Sequence, residues 1–403
     1  MRRDRERAIR LVDQMVTADC RRAGRSRGSR RGVGARLLAL MLCTLVLVGL
    51  TGCSTQKTPL VIGYLGALSG RSSDLGTAAR DGALLAVEQA NAKGGVGGRV
   101  IKLVVADDAQ DPETARKAFG TLVNQGALAV VGPTTSSMSV VVTPLAKSAG
   151  VALVSPSTST DELTGKRDLF FRVYPDNTSA AVELAKVVRE DLGFDSIAII
   201  YDLGNKAHTV TWAEHFSAEF ERLGGSVGTQ QAFISGVVTA YPEVAAKVAA
   251  KKPPCVFLLS NALDTALFAT LLRENGYSGK LVASEWSATE VVIGYGGEAV
   301  EGMTFLESVD QESKAPAFLA FKDAFRARFG YEAGFASVHG FEAAQVVLQR
   351  LAMSPGRREL AESLSRGGSF DTIQGRIRMD GNGDVSRPYY VRTVRDGAFG
   401  AGE

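Results

Sequence analysis

The chain is 403 residues long with a formal net charge of +3, a value that averages two unlike segments. Residues 1–52 carry twelve Arg and no Lys against four acidic residues, and the remainder holds 34 basic and 39 acidic residues, which removes the electrostatic support for a nucleic-acid partner. The body beyond the leader, about 350 residues, is long enough to bury a sizeable core and favours two domains, while three His and four Cys leave little material for a zinc site.

In chain order, the first feature is Leu37–Leu50, fourteen uncharged residues rich in Leu and Val, preceded by the Arg-rich stretch. A basic n-region, an apolar h-region and small residues at the cut describe a secretory signal. Fourteen residues fall short of the roughly 20 that a membrane-spanning helix needs. The tetrapeptide Leu50-Thr51-Gly52-Cys53 resembles the lipobox of bacterial lipoproteins. That resemblance implies a signal peptide over 1–52, lipidation of Cys53 and a lipidated tether over 53–57. The expected location is the periplasm or cell surface, with the protein anchored to a membrane. Cys20 and Cys43 leave with the leader, so Cys255 is the thiol that remains and no internal disulfide is expected.

Leu60–Tyr64 reads as a buried strand, followed by a Gly/Ser-rich loop and a helix over about Thr77–Asn91. Ile101–Ala106 is the next strand, and Ala115, Ala118, Phe119 and Leu122 recur at helical spacing. Leu128–Val131 and Val151–Ser155 are apolar runs with a helix between them. The pattern restarts after Pro175: helix over Ser179–Leu192, strand over Ile197–Tyr201, helix over Val210–Leu223 stopped by Gly224-Gly225. Val227–Phe233, Val256–Ser260 and Leu281–Ser284 continue as strands, with helices from Tyr241 and Asp264 between them. Beyond Gly302 come a strand (Met303–Leu306) and helices around Ala317–Phe329 and Phe335–Leu351. Strands alternating with helices predict parallel sheets covered on both faces.

Ligands of open parallel sheets bind at the loops leaving the carboxyl ends of strands. Two such loops here are rich in hydroxyls, Gly132-Pro133-Thr134-Thr135-Ser136-Ser137 and Ser155-Pro156-Ser157-Thr158-Ser159-Thr160. Hydroxyls and free N–H groups at a helix start suit a carboxylate; ordinary N-capping by Ser and Thr is the plainer alternative. After Leu281–Ser284, Glu285-Trp286 reads either as a cation partner with an apolar wall or as a surface Glu beside a packing Trp. Gly94-Gly95-Val96-Gly97-Gly98 lacks the Lys-Ser/Thr ending of a P-loop. Asp380, Asn382 and Asp384 alternate like a calcium loop, but Val385 and Val391 stand where Gly and Glu are needed, so a hairpin turn is expected. No nucleophile–base pair or metal constellation emerges, and no enzyme activity, cofactor or metal is expected.

Taken together, the segments V-I-G-Y-L-G-A-L-S-G (61–70), D-D-A-Q-D-P (107–112), V-V-G-P-T-T-S-S (130–137), S-P-S-T-S-T-D-E-L (155–163), F-R-V-Y-P (171–175), A-S-E-W-S-A-T-E (283–290), F-A-S-V-H-G-F-E-A-A (335–344) and G-R-I-R-M-D-G-N-G-D (375–384) form an ordered series. In this order the chain, from about Leu60 to Gly397, resembles the branched-chain amino-acid (Leu/Ile/Val) binding proteins, type I periplasmic solute-binding proteins of ABC importers. The resemblance implies an α/β fold of two doubly wound parallel-sheet lobes joined by a three-segment hinge. It places residues 58–176 and 305–387 in the N-terminal lobe and 177–304 and 388–403 in the C-terminal lobe, with ligand trapped between them.

Carried over by position, the resemblance implies that Ser136 receives a ligand carboxylate through its hydroxyl and N–H. Ser157 would offer its carbonyl to the α-ammonium, Ser159 would bridge the two groups, and Glu285 would pair the ammonium. Thr134 belongs to the same hydroxyl loop, and Trp286 adjoins Glu285. Departures bear on ligand identity: Asn177 stands where many relatives have Asp, His208 and Leu75 replace aromatics, and Asn261 falls where some relatives place Tyr. For His208 an exposed loop position is an equal alternative. The expected function is capture of an amino acid, aliphatic or aromatic, and its delivery to an ABC permease by a monomer. A ligand sensor of the same fold, taking an amino acid, amide or urea-like ligand and signalling to a receptor, is the alternative.

Overall fold

The computed structural model describes residues 57–402. The signal peptide expected over 1–52 and the lipidation site Cys53 lie outside the described residues, and of the tether only Lys57 lies within them. No helix among the described residues is long and apolar enough to cross a membrane.

The first sheet is built from β1 (Leu60–Gly66), β2 (Ile101–Asp107), β3 (Ala129–Val131), β4 (Ala152–Ser155) and β5 (Phe170–Arg172), in the order β2-β1-β3-β4-β5. All its neighbouring strands are parallel, so each return needs a crossover. Helices α1 (Ser73–Ala92), α2 (Pro112–Asn124) and α3 (Ser136–Ala149) supply three of them. Both faces are covered, which is why β3 and β4 are buried along their whole length and read as unbroken apolar runs.

After β5 the chain passes through α4 (Asn177–Lys186) to β6 (Ser196–Asp202), α5 (Lys206–Arg222), β7 (Ser226–Phe233), α6 (Ala240–Ala250), β8 (Cys255–Leu259), α7 (Ala262–Glu274), β9 (Lys280–Ser284), α8 (Glu290–Gly296) and β10 (Thr304–Glu307). The helix expected over Ser179–Leu192 is regular only to Lys186, and Val187–Asp191 form a wider π turn. Then follow α9 (Pro316–Phe329), α10 (Phe335–Met353), α11 (Arg357–Leu364), the hairpin of β11 (Gly368–Thr372) and β12 (Gly375–Met379), and finally β13 (Tyr390–Arg395) and β14 (Ala398–Ala401). The second sheet runs β14-β13-β10-β9-β8-β6-β7. It is parallel from β7 to β10, and β13 and β14 add antiparallel at one edge.

The segment between β10 and β13 packs on the first sheet. Helix α10 lies on α1 so closely that a Cβ on Gly340 would stand 2.1 Å from the Ala79 carbonyl oxygen. The fully buried Arg172 of β5 pairs with Asp384 at 2.6 Å, and its N–H donates to the Gly383 carbonyl. The Asp380–Asp384 segment is therefore a turn, as expected, closed by the Asp380 N–H donating to the Asp384 carbonyl. One boundary differs from expectation. A divide between 304 and 305 would cut β10, whose Phe305 pairs with Ala283 of β9 and Arg392 of β13. Residues 305–307 thus belong with the second sheet.

Candidate functional site

The loop after β3 begins with Gly132 at φ +116, where an added Cβ would lie 1.9 Å from the Leu65 carbonyl oxygen. Glycine is required by both the backbone and the space. The loop brings Thr134, Thr135 and Ser136 to the start of α3, whose first turn has no side-chain cap. Ser157 Oγ donates to the Thr134 carbonyl at 2.7 Å, Ser155 Oγ to the Pro133 carbonyl at 2.6 Å, and the Ser159 N–H to Ser136 Oγ at 3.3 Å. The two hydroxyl loops, far apart in sequence, are one hydrogen-bonded unit at the carboxyl edge of the first sheet.

The second sheet presents His208, Trp286 and Asn205 to this unit. His208 is buried in the first turn of α5, not on an exposed loop. Asn177 Nδ2 donates to the His208 carbonyl at 3.0 Å and to Thr211 Oγ1 at 2.7 Å, which turns Asn177 Oδ1 toward His208 Nδ1 at 3.1 Å. An amide oxygen accepts only, so Nδ1 carries the ring proton, and Ser159 Oγ lies 2.9 Å from the same nitrogen. Burial pushes the imidazole down to about 3, keeping it neutral. Its Nε2 is then a bare acceptor, buried without a partner among the described residues. The Trp286 indole meets His208 edge-on at 5.5 Å, and its Nε1–H is a buried donor likewise without a partner among the described residues. Buried polar atoms left this way are uncommon in folded proteins and point to a missing partner.

These residues enclose a small cavity of about 20 Å³, room for roughly one water. Six of the expected site residues line it: Leu75, Thr134, Ser136, Ser157, His208 and Trp286. Tyr174, Asn205 and Phe335 complete the wall. These three were not singled out, although Tyr174 and Phe335 lie in the F-R-V-Y-P and F-A-S-V-H-G segments. Ser159 and Asn177 stand behind His208 and orient it.

Two expected residues are placed elsewhere. Asn261 caps α7, accepting from the Asp264 N–H at 2.9 Å, and its Nδ2 donates to Asp264 Oδ2 and Ser235 Oγ. Glu285 does not line the cavity. It opens the turn after β9 beside the parallel strand β10, so Ser308 reaches it with both its N–H (2.9 Å) and its hydroxyl (3.1 Å). Burial pushes its carboxyl up to about 7, against hydrogen bonds from Tyr174 and Ser308 and the Arg387 guanidinium. Ser308 in turn touches His339, which approaches Glu342, the ion-pair partner of Arg387. Glu285 thus sits one layer behind the wall, with Tyr174 between.

The first and second sheets meet around the cavity through direct contacts. Ser137 N–H donates to Asn205 Oδ1 at 3.0 Å, Thr289 Oγ1 to Asp74 Oδ2 at 2.7 Å, and Arg71 Nε to Asp264 Oδ1 at 2.7 Å. Asp161 pairs with His215 at 2.5 Å. The cavity is therefore held in a closed arrangement, lined by neutral polar and apolar groups with no charged side chain among them.

A family model described as periplasmic binding protein matches residues 59–398. A leucine-, isoleucine-, valine-, threonine- and alanine-binding protein of Pseudomonas aeruginosa is 25% identical over 361 residues, covering 87% of this chain and 94% of that protein. Among solved structures, a branched-chain amino-acid transporter substrate-binding protein of Streptococcus pneumoniae in complex with isoleucine aligns at a TM-score of 0.79 with 22% identity, covering 85% of this chain and 98% of the other. A solute-binding protein of an ABC transporter from R. palustris, in complex with benzoate, aligns at 0.76 with 20% identity, covering 85% and 95%.

Proposed function

The chain belongs to the periplasmic binding protein family, and from that premise we propose that it is a lipid-anchored extracytoplasmic protein that captures an amino acid between its lobes and delivers it to an ABC import permease. One observation carries the reading: the cavity beside Ser136 holds a donor, Trp286 Nε1–H, and an acceptor, His208 Nε2, that are both buried and unmatched among the described residues. In the closed arrangement the cavity has room for roughly one water; widened as the lobes part, it lets a carboxylate accept from the indole and from the Ser136 hydroxyl while an ammonium donates to the imidazole. The apolar side chains of Leu75, Trp286 and Phe335 support an aliphatic or aromatic body beyond that head group. Binding needs no bond to be made or broken, and affinity with lobe closure is the whole mechanism.

The relatives' ligands support the same division of labour. Isoleucine carries both head groups, whereas benzoate carries the carboxylate alone, so benzoate is the natural control. Saturable heat on titrating leucine or phenylalanine into the purified protein, with benzoate weaker by about tenfold or more, is the expected result. Benzoate binding as tightly as the amino acids would remove the ammonium from the account. Anchoring through Cys53 would hold the protein near its permease at high effective concentration. Cys53→Ser should move the protein from the membrane to the soluble extract, and unchanged partitioning would refute the anchor.

A further inference from the structure

Beside the small cavity lies a second one of about 440 Å³, and the two share Phe335. Asp74 and Leu75, consecutive at the start of α1, line the larger and the smaller respectively, and Trp286 and Ala288 do so in reverse order. The smaller space, closed down to room for roughly one water, must widen to admit the head group and cannot hold the body of any amino acid. The larger has room for it, and its wall differs in character. Asp74, Glu290, Glu307, Glu312 and Glu332 line it with Lys322 and Arg392; Glu332 is paired with Arg326 and Asp74 accepts from Thr289, which leaves Glu290, Glu307 and Glu312 facing the two cations. Apolar stretches contributed by Ala78, Val291, Phe335 and Phe399 alternate with them.

Glu307 is the telling member. It is 1% exposed, its Oε1 lies 3.5 Å from Arg392 Nη1, the Gln311 side chain also approaches the carboxyl, and its Oε2 is without a hydrogen bond among the described residues. Arg392 is occupied in part by the Phe399 carbonyl, to which its Nη2 donates at 2.9 Å, and its Nε is a buried donor without a partner among the described residues. Burial pushes the Glu307 carboxyl up to about 8. A buried carboxyl with one oxygen unmatched gains from a cation placed against it.

Resting on the amino-acid reading above, we infer that the ligand's side chain passes Phe335 as an apolar stem and ends in a cationic group received by this acidic chamber. The head group stays with Ser136, His208 and Trp286, and Glu307, Glu290 and Glu312 select the far end. The substrate class is then an amino acid with a distal ammonium or guanidinium, rather than a purely aliphatic one.

L-lysine and L-norleucine share the same four-carbon side chain and differ by the terminal ammonium, so calorimetric titration of both into the purified protein tests the inference. Lysine should bind at least about tenfold more tightly. Glu307→Gln should bring the two within about threefold of each other. Because Glu307 is buried, the doubly substituted Glu290→Gln/Glu312→Gln protein, altered only at exposed positions, serves as a second variant and should also reduce lysine's advantage. Norleucine binding as tightly as lysine overturns the inference, as does an advantage for lysine that survives in both variants. If leucine binds and lysine does not, the chamber reading alone fails; if no amino acid binds, it fails together with the reading beneath it.

Discussion

At the scale of single residues, Glu285 and Glu307 are two carboxyls almost wholly out of water, 3% and 1% exposed, and close enough for each charge to oppose the other. Both are raised from 4.5, to about 7 and about 8, chiefly by burial. Each therefore holds its proton more tightly in the folded chain than in the unfolded one. The stability this confers is complete below about 4.5 and is lost as pH rises through 7 to 8. His339 and His208 are pushed the other way, to about 4 and about 3, so their share is lost as pH falls from 6.5 through those values. Comparing a variant with its parent separates the two contributions. Glu285→Gln should gain stability relative to the parent as pH rises from 5 to 8, by on the order of 2–3 kcal/mol. Chemical denaturation at a series of pH values measures this, and a constant offset across the range would contradict the assignment. Ser136, Ser157 and Trp286 stand in strand-end loops that the sequence singles out, since such loops carry ligands whatever the details, whereas His208 came only with the resemblance. The place of Glu285 behind the wall is not legible there, because its direction is set by Ser308, the residue after β10, a contact that no local pattern encodes.

At the scale of elements, the loop between β3 and α3 does most to build the site, and it depends on Gly132. Any side chain there must tolerate φ +116 and a contact of 1.9 Å with the Leu65 carbonyl oxygen. Gly132→Ala is expected to destabilise the fold by more than about 2 kcal/mol and to weaken ligand binding with it, because Thr134 and Ser136 move together with the loop. Urea denaturation reads the first effect, and a loss within about 0.5 kcal/mol would contradict it. Long amphipathic helices and apolar strands were readable from their periods. The three-residue strand β5 was not, since Phe170–Arg172 is too short to show a period and contains a fully buried Arg. The hairpin β11–β12 and β14 escaped for the same reason: strands of four or five residues with at most two of them buried resemble loops.

At the scale of the whole molecule, a parallel sheet and a sheet parallel from β7 to β10 present their strand ends to one another, and the chain passes between them after β5, after β10 and before β13. Alternating strands and helices indicated two such layers, but the return of α9 to β12 to the first sheet carries no local signal and came only with the resemblance. The crossover at β10 was misplaced by three residues because Thr304–Glu307 looks the same whichever sheet it joins; only pairing to Val282–Ser284 decides it. The proposed function follows from that arrangement: Ser136 stands on one side of the cavity, and the two unmatched atoms of the polar set, His208 Nε2 and Trp286 Nε1, stand on the other. The central claim is that an amino-acid head group completes this set. Isothermal titration of the parent protein and of Ser136→Ala with the same amino acid tests it most directly. The account predicts one site per chain in the parent and affinity lower by about tenfold or more in the variant, whereas equal affinity in the two proteins, or no saturable binding in the parent, would contradict it.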